Sequence, residues 1–142
     1  MPLKDVRQMT PEEKEAFHRD AEAKIKVVKV QKPKENERGE PRDVVVQCKT
    51  DLVGVLTQWV REGGEDNLHY HTNGDTFWMV LKGRVRFYGP EQNTLTKECG
   101  PMEGVFIPRN VPYWFETVGT EQAYLLQIES VDNRVPNKFI AH

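Results

Sequence analysis

The chain has 142 residues. That is one domain by the usual sizes, long enough to bury about two-thirds of its unfolded surface. Its 20 Lys+Arg and 22 Asp+Glu leave a formal charge of −2 in a chain that is 30% charged, so composition makes no case for a nucleic-acid or polyanion partner. The longest apolar run is Phe77-Trp78-Met79-Val80-Leu81, far short of the about twenty residues of a membrane helix, and Met1 to Thr10 lacks a signal-peptide core. A cytoplasmic domain with no membrane partner is expected. Cys48 and Cys99 make neither a disulfide framework nor a zinc-ribbon spacing, and read as two buried thiols.

In chain order, Thr10-Pro11-Glu12-Glu13 is a capping box with proline at the first helical position, which predicts a short polar helix from about Pro11 to Ala23. The β-branched run Ile25–Val30 predicts a strand that could cover a barrel edge. Lys32 to Arg42 is charged, carries two prolines and a glycine, and reads as a loop. Residues 1–42 therefore form an extension.

From Asp43 the pattern changes. Short β-branched or aromatic runs alternate with Gly, Pro and Asn turns: Val44–Lys49, Leu52–Arg61, Leu68–His71, Thr76–Lys82, Arg84–Tyr88, Thr94–Glu98, Val105–Pro108, Pro112–Val118 and Gln122–Val131. Nine such runs predict an all-β sandwich or barrel over residues 43–131, followed by a tail over 132–142. Leu81-Lys82-Gly83-Arg84 reads as a tight hairpin turn joining Phe77–Leu81 to Val85–Tyr88.

The chemistry-bearing feature is His69-x-His71. Strand side chains alternate, so both imidazoles share one face and can chelate one metal ion. The same spacing also fits two polar residues on an exposed strand.

The surroundings resemble the cupin superfamily. Gly63, His69, His71 and Gly83 fall in register with the first cupin motif, and Pro108-Arg109-Asn110-Val111-Pro112-Tyr113 matches the centre of the second. Asn110 stands where the family has glycine, a mild change because asparagine tolerates left-handed backbone. The resemblance implies a double-stranded β-helix, or jelly-roll barrel. It also implies a small-molecule ligand, a homodimer, and a first-row divalent metal such as Fe, Mn, Ni or Zn.

The family's ligand positions are altered. Either Thr76 or Asp75 falls in the glutamate slot, and neighbouring strand residues face opposite ways. Gly74 offers a bulge that would turn Asp75 inward. Tyr113 replaces the histidine of the second motif, as a third ligand or a proton donor. Met102 and Thr117 replace its outer Gly and Asn.

The resemblance thus points to His69, His71 and Tyr113 as metal ligands, and to Tyr113 and Asp75 as catalytic groups. Alternation and composition add Trp78, Phe115, Arg109, Gln58 and Gln127 as substrate contacts, and put Phe77, Trp114 and Phe106 in the core or an interface. Two functions follow: a metal-dependent enzyme of isomerase, lyase, decarboxylase or dioxygenase type, or a non-catalytic binding module with a degenerate metal site.

Overall fold

The computed structural model describes residues 5–30, 42–62, 68–91, 95–136 and 139–141. Gly63 of the first motif and the loop residues 32–41 lie outside them. Near the N-terminus, a 3-10 turn at Val6–Gln8 leads to α1 (Pro11–Glu22). The capping box forms as read, with the Thr10 hydroxyl accepting from the Glu13 backbone N–H at 3.2 Å. The helix buries no residue.

Ile25–Val30 does not form the expected strand. Its side chains lie in solvent, Val27 at 91% exposure, and its described polar links are the Ile25 N–H to the Glu22 carbonyl at 3.1 Å and Lys26 Nζ to the Gln47 carbonyl at 3.4 Å. β-branched composition favours extended backbone, but a strand also needs a ladder partner, and this segment has none in the described part of its own chain.

The barrel is built from β1 (Arg42–Lys49), β2 (Val53–Val60), β3 (His69–His71), β4 (Thr76–Lys82), β5 (Val85–Tyr88), β6 (Leu95–Cys99), β7 (Gly104–Ile107), β8 (Trp114–Thr117), β9 (Ala123–Ser130) and β10 (Phe139–Ala141). A five-stranded sheet has the order β1-β2-β9-β4-β7 and faces a three-stranded sheet of order β6-β5-β8. The third pair is β10-β3, so part of the C-terminal tail lies beside the histidine strand, with Phe139 opposite His71 and Ala141 opposite His69.

The Lys82–Arg84 turn is a corner, not a hairpin. β4 pairs with β7 and β9, whereas β5 pairs with β6 and β8. The chain therefore leaves one sheet and enters the other at Gly83. That residue has φ +84°, and an added Cβ would sit 2.5 Å from the Gln122 carbonyl oxygen. Both constraints select glycine.

The core follows the period-two pattern. Trp78 and Val80 of β4, Val85 and Phe87 of β5, Phe115 of β8 and Leu125 of β9 are all buried. The Phe115 ring lies 5.1 Å from Trp78 and 5.6 Å from Phe87 between centroids, contacts worth about 0.5–1.5 kcal/mol each beyond their buried area. Cys99 is buried as expected, but Cys48 is half-buried. Phe106 is 64% exposed and is no core residue, because it alternates with Val105 and Ile107, which pack on the core from the other face of β7. Phe77 is half-buried, and Trp114 stacks on Tyr88 at 4.2 Å with its ring half-exposed.

Candidate functional site

Three strands of the large sheet align their inward side chains in rows. The register places Gly54 of β2, Glu129 of β9 and Thr76 of β4 side by side, and Leu56, Gln127 and Trp78 in the next row. The second row and Glu129 form one wall of a cavity of about 250 Å³ at the barrel mouth. His69, His71 and Tyr113 form another, and Arg42 reaches in from β1. A cleft of about 440 Å³ shares His71 and Glu129 with it and adds Thr76, Asn73 and Lys49.

His69 and Tyr113 are locked opposite each other by reciprocal backbone hydrogen bonds of 3.1 and 2.9 Å. Their rings lie 4.6 Å apart, and the His69 and His71 rings lie 5.2 Å apart at 89°. β3 is short, so its geometry is held from outside. Tyr113 flanks one end, β10 pairs along it, and the Asn110 N–H donates to the His71 carbonyl at 2.7 Å. Asn110 does this with φ +68°, the left-handed conformation that the family meets with glycine.

Burial pushes the His71 imidazole down, favouring the neutral ring. The Tyr113 phenol is buried, and its oxygen accepts from Trp78 Nε1 at 3.2 Å.

The structure brings His69, His71, Tyr113, Trp78 and Gln127 to one cavity and leaves the other expected site residues elsewhere. Asp75 turns away. Its carboxylate accepts from the Arg109 backbone N–H at 2.9 Å and lies 3.7 Å from Arg109 Nε. Gly74 makes no inward bulge. An added Cβ there would fall 1.8 Å from the Ser130 carbonyl oxygen, so glycine permits the close approach of β9, and Thr76 takes the inward, buried position.

Arg109 also donates through Nη1 to Asp132 at 3.0 Å and lines neither cavity. Hydrogen bonds from Arg134 and Arg109 hold the Asp132 carboxyl well below the usual carboxylate range. Phe115 lies in the core beneath the cavity, and Gln58 is linked to it through its bonds to Gln127 and Arg42.

Glu129 and Arg42 were not singled out from sequence. Glu129 continues the alternation Leu125, Gln127, Glu129, which was a readable signal for an inward carboxyl. Burial pushes that carboxyl up, with Lys49 opposing. It has room because it leans over Gly54, where a Cβ would lie 3.1 Å from Oε1. Arg42 closes a run of charged loop residues, so nothing local marked it as the first strand residue.

A metal is implied by the fold, and the donor set provides a test of fit. Two imidazoles face the cavity, but the family's glutamate position holds a neutral threonine and the Tyr113 oxygen is engaged by Trp78. Among the described residues, no three His, Cys, Asp or Glu side chains converge on one point. The residues present therefore do not fit a centre with three such side chains as ligands.

The double-stranded β-helix and its histidine-bearing mouth define the class of the protein. The family model for the cupin domain matches residues 57–129, half of the chain. The chain belongs to the cupin domain family.

Among solved structures, it is similar to a protein with a double-stranded β-helix domain from Klebsiella pneumoniae, at 16% identity over 76% of this chain and 90% of that one, with a TM-score of 0.62. The cupin domain of Cnp3 from Schizosaccharomyces pombe gives 14% identity over 67% of this chain and 68% of that one, at 0.59. An oxalate oxidase gives 20% over 68% and 54%, at 0.55. These likenesses establish the fold and include an enzyme. The search of curated proteins returned no match. No helix among the described residues is long and apolar enough to cross a membrane.

Proposed function

We propose that this chain is a small-molecule-binding cupin whose barrel mouth holds one small organic molecule. The observation that carries the reading is convergence: His69, His71, Tyr113, Trp78, Gln127, Glu129 and Arg42 all line a single cavity of about 250 Å³. Ligand sites combine apolar walls with a few placed polar groups and run from about 300 Å³ upward, so a cavity of this size suits a small ligand. Trp78 supplies the apolar wall, while Gln127 and the two imidazoles supply hydrogen bonds.

The test is a fragment screen read by NMR on the Trp78 indole and the His69 and His71 rings. Binders are expected to shift these signals together, and a Trp78→Phe variant assigns the indole. If the screen yields only molecules that shift signals elsewhere, the reading fails.

A second reading, a metal-dependent enzyme, is favoured by one observation: both motif imidazoles face the same cavity as the Glu129 carboxyl. Metal analysis of protein prepared without an affinity tag separates the two. The enzyme reading expects near-stoichiometric Fe, Mn, Ni or Zn that falls sharply in a His69→Ala/His71→Ala double variant. Equal trace metal in both proteins supports the binding reading alone.

A further inference from the structure

We propose that the ligand of this pocket is a small carboxylate and that Arg42 is the residue that holds it. The inference rests on the binding reading above and names the ligand class for that site.

Arg42 starts β1 and projects its guanidinium into the cavity that His71, Tyr113 and Glu129 line. Its position is fixed from two sides. Nε donates to Gln58 Oε1 at 2.7 Å, and Gln58 Nε2 donates in turn to Gln127 Oε1 at 2.9 Å. Both glutamines are buried, so the relay anchors the arginine to the middle of the large sheet. From below, the Phe115 ring lies 5.4 Å from the guanidinium carbon, within the range of a cation–π contact.

This arrangement uses Nε and one face of the group and leaves Nη1 and Nη2. Among the described residues, neither terminal nitrogen has a hydrogen-bond or ion-pair partner. A half-buried charge without a counter-ion is unfavourable unless something in the pocket supplies one. Glu129 does not, since among the described residues it forms no ion pair with Arg42, and the cation that acts on its carboxyl is Lys49.

The ligand is therefore the missing anion. Two parallel N–H donors at the end of a planar, pre-positioned guanidinium match the two oxygens of a carboxylate. The arginine expected from sequence to be a substrate contact, Arg109, already has Asp132 and Asp75.

The experiment measures binding of two matched pairs, benzoate with benzamide and isobutyrate with isobutyramide, by NMR on the Trp78 indole and the His71 ring. In wild type, each acid is expected to bind at least tenfold more tightly than its amide. In Arg42→Met the gap closes, while Arg42→Lys, which keeps the charge but not the fork, retains part of it. If Arg42→Met does not keep the wild-type near-ultraviolet dichroism, Arg42→Lys decides alone, by several-fold loss of acid binding with amide binding unchanged.

Equal binding of acid and amide to wild type, or a gap that persists in the Arg42 variants, overturns the proposal and leaves the binding reading intact. Arg42-dependent binding of inorganic phosphate as tight as benzoate overturns the carboxylate assignment. If none of the four probes moves either signal, the binding reading itself fails, and this inference with it.

Discussion

At Gln58 the barrel interior depends on a single amide. Its side chain accepts from Arg42 and donates to buried Gln127. Gln58→Leu keeps the volume but strands both partners, and an unsatisfied buried acceptor costs about 1–3 kcal/mol. Urea denaturation should show that loss, and the affinity for any pocket ligand should fall with it because Arg42 loses its anchor.

Glu129 gives the opposite sign. Its folded pKa lies above the ordinary value of 4.5 because of burial. Below that value the carboxyl is protonated in both folded and unfolded chains. As pH rises, the unfolded chain ionises first and the folded state loses stability. Glu129→Gln should therefore be more stable than wild type at pH 7, with the difference shrinking towards pH 4 in thermal unfolding. No difference at either pH would remove burial as the cause.

At the scale of the element, β4 and β9 are held by an approach that only glycine permits. Gly74 lies against the Ser130 carbonyl, and around it the Asp75 N–H donates to Ser130 Oγ while the Ser130 N–H donates to the Asp75 carbonyl, both at 2.9 Å. Gly74→Ala must push the end of β9 outward, an overpacking that costs about 1–3 kcal/mol. Because Glu129 precedes Ser130, the same change should disturb the pocket. A lowered urea midpoint together with shifted His71 ring signals is the expected result, and a lowered midpoint with an unmoved pocket would separate the two.

The elements also set the limit of what local pattern conveys. Alternation read β4, β5 and β9 correctly, because each buries one face. It misread Ile25–Val30, where composition favoured a strand and no neighbour completed one. It also misread the Gly83 turn, since a hairpin and a corner between sheets use the same residues and differ only in where the next strand pairs.

For the whole molecule, the exposed edge of the large sheet is the informative surface. Among the described residues β1 has a single ladder partner, and Val44, Val45 and Val46 are exposed along it. Long unpaired apolar edges associate unless charged or covered. Self-association through β1 is the expected outcome, measurable by light scattering after gel filtration. Val44→Lys together with Val46→Lys should shift the mass towards one chain. A wild-type mass of one chain would argue against the homodimer that the family resemblance implies.

The sequence by itself determined the cupin fold, through the spacing of Gly63, His69, His71 and Gly83 and of Pro108 to Tyr113, and through an alternation that assigns inward faces strand by strand. It also identified five residues that meet in the cavity: the resemblance implied His69, His71 and Tyr113, and alternation and composition added Trp78 and Gln127. It could not choose between Asp75 and Thr76, since that depends on how closely β9 approaches Gly74. Nor could it find Arg42, whose place inside the pocket depends on pairing with Gln58 of the next strand. Those choices belong to tertiary structure, because each rests on a contact between residues far apart in the chain, and no local preference encodes such a contact.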